Sequence, residues 1–158
     1  MTAQLGEVDT LLFGRVTYEH MAAYWPTPAA EQNDPAITAT MNSIPKLVVS
    51  RTLATAEWAN TRLVSGDAAG VLAALKEQSG KDIAIFGSSN LTASLLQLGL
   101  VDELRIMISP IVLGGGRSLL RTADKRIGMC LVKTRAFRSG NVLLHYRPDS
   151  SPVAALTS

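Results

Sequence analysis

The chain has 158 residues, is 47% apolar and 18% charged, and carries a formal net charge of +2. These values describe a globular chain long enough to bury a core and exclude a disordered one; so small a charge does not support nucleic-acid binding. No apolar run has the length of a membrane span and the start lacks the basic-then-apolar pattern of a secretory signal, so no membrane partner and a cytoplasmic location are expected. Cys130 is the single cysteine; it excludes an intrachain disulfide, and the alternation around it points to a buried structural thiol.

In chain order, Thr10-Leu11-Leu12-Phe13-Gly14 reads as a short strand ending in glycine. Arg15-Val16-Thr17 follows, and then Tyr18, Met21, Ala22 and Trp25 fall at i, i+3, i+4 and i+7 of a helix that Pro26 stops. Residues 26 to 35 read as a loop. Asp34 before Pro35 has the form of an N-cap with proline at the first helical position, opening a short helix that ends before Pro45. Lys46 to Ser50 is a strand with Arg51 after it, and Thr61 to Val64 is another. Asp67 caps a helix carrying Val71, Leu72 and Leu75.

The stretch from Ile83 to Leu100 repeats the first pattern. Four apolar residues form a strand, Gly87 permits a sharp turn, Ser88, Ser89 and Asn90 are N-cap types, and Leu91, Leu95 and Leu98 mark a helix. Gly99 stands where a left-handed C-cap is wanted. A helix start of this kind offers N–H groups and partial positive charge to a phosphate, and an ordinary strand-to-helix connection has the same look. Beyond it, Leu104 to Ser109 is a strand, and residues 111 to 117 form a glycine-rich turn without the Lys-Ser/Thr pair of a Walker loop. Residues 129 to 147 form a hairpin about Ser139-Gly140-Asn141. His145 reads as a structural or outward-facing residue, and the tail 148–158 as frayed.

Strands alternating with helices and closed by a hairpin imply an α/β fold: a mostly parallel central sheet flanked by helices, with a C-terminal antiparallel hairpin. One domain over residues 1–147 is expected. Ligands of such sheets sit at the carboxyl ends of the strands. Three strand ends carry suitable groups: Gly14-Arg15-Val16-Thr17, Ser50-Arg51 and Gly87-Ser88-Ser89-Asn90. Two helix starts and two arginines on one edge suit a pyrophosphate plus one further phosphate, which matches NADP(H) better than NAD(H).

Taken in order, Gly14-Arg15-Val16-Thr17-Tyr18-Glu19, Val48-Val49-Ser50-Arg51-Thr52-Leu53, Phe86-Gly87-Ser88-Ser89-Asn90-Leu91, Gly99-Leu100-Val101-Asp102-Glu103-Leu104 and Ser109-Pro110-Ile111-Val112-Leu113-Gly114-Gly115-Gly116 resemble dihydrofolate-reductase-like proteins. The branch they resemble most includes the reductase domain of bacterial riboflavin biosynthesis. The resemblance covers roughly residues 8 to 147. It implies the dihydrofolate reductase fold, NADPH as hydride donor and a pterin- or pyrimidine-like acceptor such as a ribosylaminopyrimidine phosphate. It places Arg15, Ser50 and Arg51 at the 2′-phosphate, and Gly14, Thr17, Gly87, Ser88, Ser89, Asn90 and Leu91 about the pyrophosphate and nicotinamide. Tyr18 and Trp25 are candidates for a substrate wall or for the core. No deaminase zinc motif is present, no metal is expected, and no proton donor is assigned. Relatives begin with an additional strand and turn, and this chain starts about where that segment would finish. The resulting sheet edge makes a homodimer an expectation. The alternative to a reductase is a non-catalytic NADP-binding or oligomeric protein of the same fold.

Overall fold

A computed structural model describes residues 5–116, 118–120 and 126–149. Arg117 of the glycine-rich turn and residues 150–158 of the expected tail lie outside the described residues. The chain divides into two compact units, one ending at Leu91 and the other starting at Thr92.

The first unit is built on a four-stranded parallel sheet in the order β3-β2-β1-β4. Its strands are β1 (Val8–Gly14), β2 (Lys46–Val49), β3 (Thr61–Val64) and β4 (Asp82–Ile85). The helices are α1 (Arg15–Tyr24), α2 (Pro28–Asn33), α3 (Pro35–Ser43), α4 (Ala68–Lys76) and α5 (Ser89–Gln97), which carries the boundary between the units. β1 is an inner strand, which explains why Leu11, Leu12 and Phe13 are apolar in succession: both faces are covered and all three are buried. Alternation along the strand sends Leu11 and Phe13 to one face. There they join Tyr18, Ile37, Met41, Ile44, Val48 and Trp58 in the main core cluster.

Local signals set the helix limits. Asp34 accepts the Ile37 N–H at 3.0 Å and Asp67 accepts the Gly70 N–H at 2.9 Å, the expected N-caps. Residues 26 to 35, expected as a loop, contain α2 instead. Thr27 caps it by accepting the Ala30 N–H at 3.3 Å, with Pro28 in the first turn. Six residues are too few to show a helical period, so the proline read as a loop signal.

The second unit contains a three-stranded antiparallel sheet in the order β5-β7-β6. Its strands are β5 (Leu104–Ile108), β6 (Met129–Ala136) and β7 (Val142–Pro148), with β6 and β7 forming the expected hairpin. α5 ends as Gly99 predicts. Gly99 has φ +69°, its N–H donates to Leu96 O at 3.0 Å, and the Leu100 N–H donates to Leu95 O at 2.9 Å, a Schellman closure. The buried stripe of α5 is Thr92, Ala93, Leu95 and Leu96. Leu98, expected on that stripe, is 60% exposed because it lies past the last helical turn. Cys130 corrects a third expectation. It is exposed, since β6 is an edge strand and its residues from Cys130 to Ala136 are exposed on both faces.

One side chain in the first unit breaks the hydrophobic pattern. Lys46 opens β2 and is 1% exposed. Its ammonium donates to Ile44 O at 2.7 Å, Ala59 O at 2.9 Å and Asn42 O at 3.3 Å, and lies 4.5 Å from the centre of the Trp58 ring. All three donors therefore have acceptors, and the ring face adds a cation–π contact. Burial lowers its pKa from 10.5 to about 8. The unfolded chain thus binds more protons at this site between about pH 8 and 10.5, so the site's contribution to stability rises with pH across that window. Urea unfolding of the wild type and Lys46→Met at pH 7 and pH 10 is expected to show the stability difference shifting toward the wild type at the higher pH. An unchanged difference would mean that burial does not perturb this amine.

Candidate active site

The register of the parallel sheet decides what meets at its carboxyl edge. Gly14 is paired with Val49, and Leu12 with Ile85. The ends of β2, β1 and β4 are therefore level, and Gly14, Ser50-Arg51 and Gly87-Ser88 emerge side by side. β1 has β2 on one side and β4 on the other, so the chain reverses its direction of travel across the sheet there. Open α/β sheets bind ligands at such a reversal.

Two backbone turns are tied together at this point. The Gly14 N–H donates to Ser88 Oγ at 2.9 Å, and the Ser88 N–H donates to Thr17 Oγ1 at 3.2 Å. Ser88 has φ +21° and Gly87 φ +70°. The turn leaving β4 is thus left-handed across two residues, one of them a serine. Ser88, one of three residues expected as N-cap types, accepts the neighbouring strand end with its Oγ and donates to Phe86 O at 3.4 Å. Thr17 Oγ1 accepts one bond and still carries its own O–H donor.

α1 starts at Arg15 with no side-chain cap and no acidic residue in its first turn. Its leading N–H groups have no partner within the helix, and no acidic side chain of its own first turn competes for them. α5 also lacks an acidic residue in its first turn, formed by Ser89, Asn90 and Leu91. A Cβ built on Gly14 would lie 3.7 Å from Ser88 Cβ and 3.9 Å from Leu91 Cβ, so the two helix starts are close.

The two arginines differ in what already holds them. Arg15 is exposed, and its Nη1 donates to Glu19 Oε1 and Oε2, both at 2.9 Å. Arg51 is exposed and has no ion-pair or hydrogen-bond partner among the described residues. Ser50 is buried, and its Oγ accepts the Thr52 and Leu53 N–H groups at 3.1 and 2.9 Å. Its hydroxyl shapes the turn that carries Arg51.

Tyr18, named as a wall or core candidate, is a core residue at 4% exposure. Its hydroxyl accepts the Trp58 N–H at 3.0 Å, which fastens the β2–β3 connector to α1. Trp25 is half-buried against the core, with its Nε1 3.2 Å from Met21 Sδ. His20 and Glu19 are exposed on α1, and Asp34 is occupied as a cap.

A family profile, the RibD C-terminal domain, matches residues 1–143. The chain belongs to the RibD C-terminal domain family. The Bacillus subtilis (strain 168) protein YyaP is 34% identical over 143 residues, covering 90% of this chain and 75% of that protein. Among solved structures, a putative riboflavin biosynthesis protein from Shewanella sp. PV-4 superposes with a TM-score of 0.71 at 23% identity, over 94% of this chain and 78% of that one. Dihydrofolate reductase from Enterococcus faecalis, solved with NADP(H), superposes with a TM-score of 0.60 at 16% identity, over 94% and 80% of the two chains. The fold of this RibD C-terminal domain is therefore dihydrofolate-reductase-like. None of its described helices is long and apolar enough to cross a membrane.

Two other features of this family member were not legible in the sequence. A cavity of about 530 Å³ lies at the opposite, amino end of the strands, lined by Thr10, Lys46, Trp58, Asn60 and Thr61 among others. In the second unit, Glu103 gathers two arginines and a histidine: Arg105 Nε lies 2.6 Å from Oε1, His145 Nδ1 3.1 Å from Oε1, and Arg147 Nε 3.7 Å from Oε2. The Arg105 hydrogen bond, aided by that of His145 and opposed by partial burial, holds the carboxyl below its usual range. His145, expected as a structural or outward-facing residue, is a hydrogen-bond partner of this carboxylate.

The glycines of the edge make a contrasting pair. Gly14 has an ordinary φ of −80° and room for a methyl group, whereas Gly87 has φ +70° and would bring a Cβ to 3.4 Å from Thr17 Cγ2. Gly87→Ala is expected to lower stability by about 1–2 kcal/mol and Gly14→Ala by less than about 0.5 kcal/mol. Equal losses in urea unfolding would show that the left-handed turn is not what selects glycine at position 87.

Proposed function

We propose that this protein is an NADPH-dependent reductase of a small heteroaromatic substrate of the pterin or pyrimidine kind. A ribosylaminopyrimidine phosphate is the substrate class to which the riboflavin branch of the family points. The observation that carries this reading is the carboxyl edge of β2, β1 and β4, where two helix starts free of first-turn acids meet two exposed arginines.

Such an edge fits a dinucleotide. The first-turn N–H groups of α1 and α5 and the Thr17 hydroxyl are donors for a pyrophosphate. Gly14 and Gly87 let the backbone come close to it. Arg51 and the free nitrogens of Arg15 are the groups for a 2′-phosphate, with Ser50 holding the Arg51 turn in shape. When bound, NADPH supplies the hydride. The protein's own part is to orient the nicotinamide against the acceptor and keep water from the reacting atoms. The NADP(H) bound to the Enterococcus dihydrofolate reductase supports this reading through the shared fold.

We also propose that the protein works as a homodimer in a reducing cytosol. β6 is an edge strand with Leu131 and Val132 at least half exposed, and β5 exposes Met107 and Ile108 to a similar degree. Exposed apolar residues beside an unpaired edge are a surface that a second copy would cover. Light scattering at micromolar concentration is expected to give twice the chain mass; a monomer would remove the dimer from the proposal and leave the cofactor edge untouched.

The central test is calorimetric titration of NADPH and NADH into the wild type and an Arg15→Ala, Arg51→Ala double variant. The wild type is expected to prefer NADPH at least tenfold, and the double variant to lose that preference, as removal of charge-assisted phosphate contacts requires. A folded protein that binds neither nucleotide would sink the cofactor reading. Binding without oxidation of NADPH by any pterin or ribosylaminopyrimidine would leave the non-catalytic alternative.

A further inference from the structure

The geometry of Arg15 points to a role for Glu19 that rests on the cofactor reading above. Both residues lie on the exposed side of α1, four positions apart, with side chains 44% and 43% exposed. Pairs at this spacing are common and weak, and most do no more than stabilise their helix. This pair has an unusual division of donors. Arg15 Nη1 faces both oxygens of the Glu19 carboxylate, at 2.9 Å each. A guanidinium has five N–H donors, two of them on each terminal nitrogen and one on Nε. Glu19 therefore occupies a single terminal nitrogen. The Nε and Nη2 donors form the other edge of the plane and have no partner among the described residues. That edge is a two-donor fork of the kind that meets a phosphate side-on.

We propose that Glu19 is a positioning residue for Arg15: it holds the guanidinium by one nitrogen and keeps the Nε–Nη2 fork ready for the 2′-phosphate of the cofactor. A free arginine loses rotamer freedom when it clamps a ligand, and one already held loses less. The opposing effect is repulsion between the Glu19 carboxylate and the phosphate, which solvent screens at an exposed site. Glu19 touches no reacting atom, so its effect is on affinity and on the choice between the two nucleotides.

The test is a double-mutant cycle in binding, read by calorimetry with NADPH and NADH on the wild type, Glu19→Ala, Arg15→Ala and the pair. Glu19→Ala is expected to weaken NADPH on the order of threefold and leave NADH unchanged, so that the NADPH:NADH ratio falls. In the Arg15→Ala background, the same change is expected to have no effect. Because both side chains are exposed, all four proteins are expected to melt within a few degrees of one another. Tighter NADPH binding by Glu19→Ala would overturn the proposal and make the carboxylate a competitor of the phosphate. An equal loss for NADH, or an equal loss without Arg15, would overturn it in favour of a plain helix contact. A wild type that binds neither nucleotide defeats the cofactor reading and this inference together. A wild type that prefers NADPH while the cycle is additive defeats this inference alone.

Discussion

The candidate site depends on a two-bond stitch between strand ends that are more than seventy residues apart in the chain. The Gly14 N–H is bonded to Ser88 Oγ, and the Ser88 N–H to Thr17 Oγ1. Parallel pairing of β1 with β4 makes the two ends level, and the stitch locks the turns that follow them. Ser88 makes both bonds with a positive φ of +21°, which costs a non-glycine residue on the order of 1 kcal/mol. Two hydrogen bonds at partly buried atoms offset that cost. The result is a platform in which the ends of β1 and β4 and the turns that follow them are held to one another.

A second network holds the arginine-bearing segments to that platform. The Tyr18 hydroxyl takes the Trp58 N–H, the Trp58 indole donates to Asn42 Oδ1 at 2.7 Å, and Lys46 joins Asn42, Ile44 and Ala59 through their carbonyls. Asn60, at φ +60°, donates to Asn42 O and Ser43 O. These bonds gather α1, the end of α3 and the β2–β3 connector around one buried ammonium. Arg15 lies one helical turn before Tyr18, and Arg51 lies in the connector that Trp58 anchors. Placing a lysine in the core is expensive, and full satisfaction of its three donors is what makes the arrangement tenable. Three carbonyl acceptors from three separate chain positions also tolerate little displacement, which suits a scaffold for ligand groups.

Much of this architecture was legible residue by residue. The glycine-ended strands, the proline stop after α1, the Asp34 and Asp67 caps, the Gly99 closure and the final hairpin all follow from short-range chemistry, and all are present. The ordered set of motifs also led to the family that the profile match shows. The misses share a physical cause. α2 is too short for a period to show, Cys130 alternates as a buried residue would but sits on an edge strand, and Leu98 continues a spacing that the helix itself does not continue. In each case the pattern was present and the neighbour needed to give it meaning was not visible.

The sequence by itself determined where the chain turns, which helices are capped, and which residue types stand at the strand ends, because those properties are settled within about four residues of each position. It could not tell which of those polar groups would be offered to a ligand. Ser50 and Ser88 were expected beside a phosphate, and in the structure their Oγ atoms accept neighbouring amides, Thr52 and Leu53 for Ser50 and Gly14 for Ser88. Arg15 and Arg51 read alike, and the structure gives one a carboxylate and the other none. Lys46 read only as the first residue of a strand, and the structure encloses its ammonium with three carbonyls. Only the tertiary structure could decide these points, because a hydrogen bond is made or lost over a few tenths of an ångström. That distance is set by strand register and packing between segments far apart in the chain.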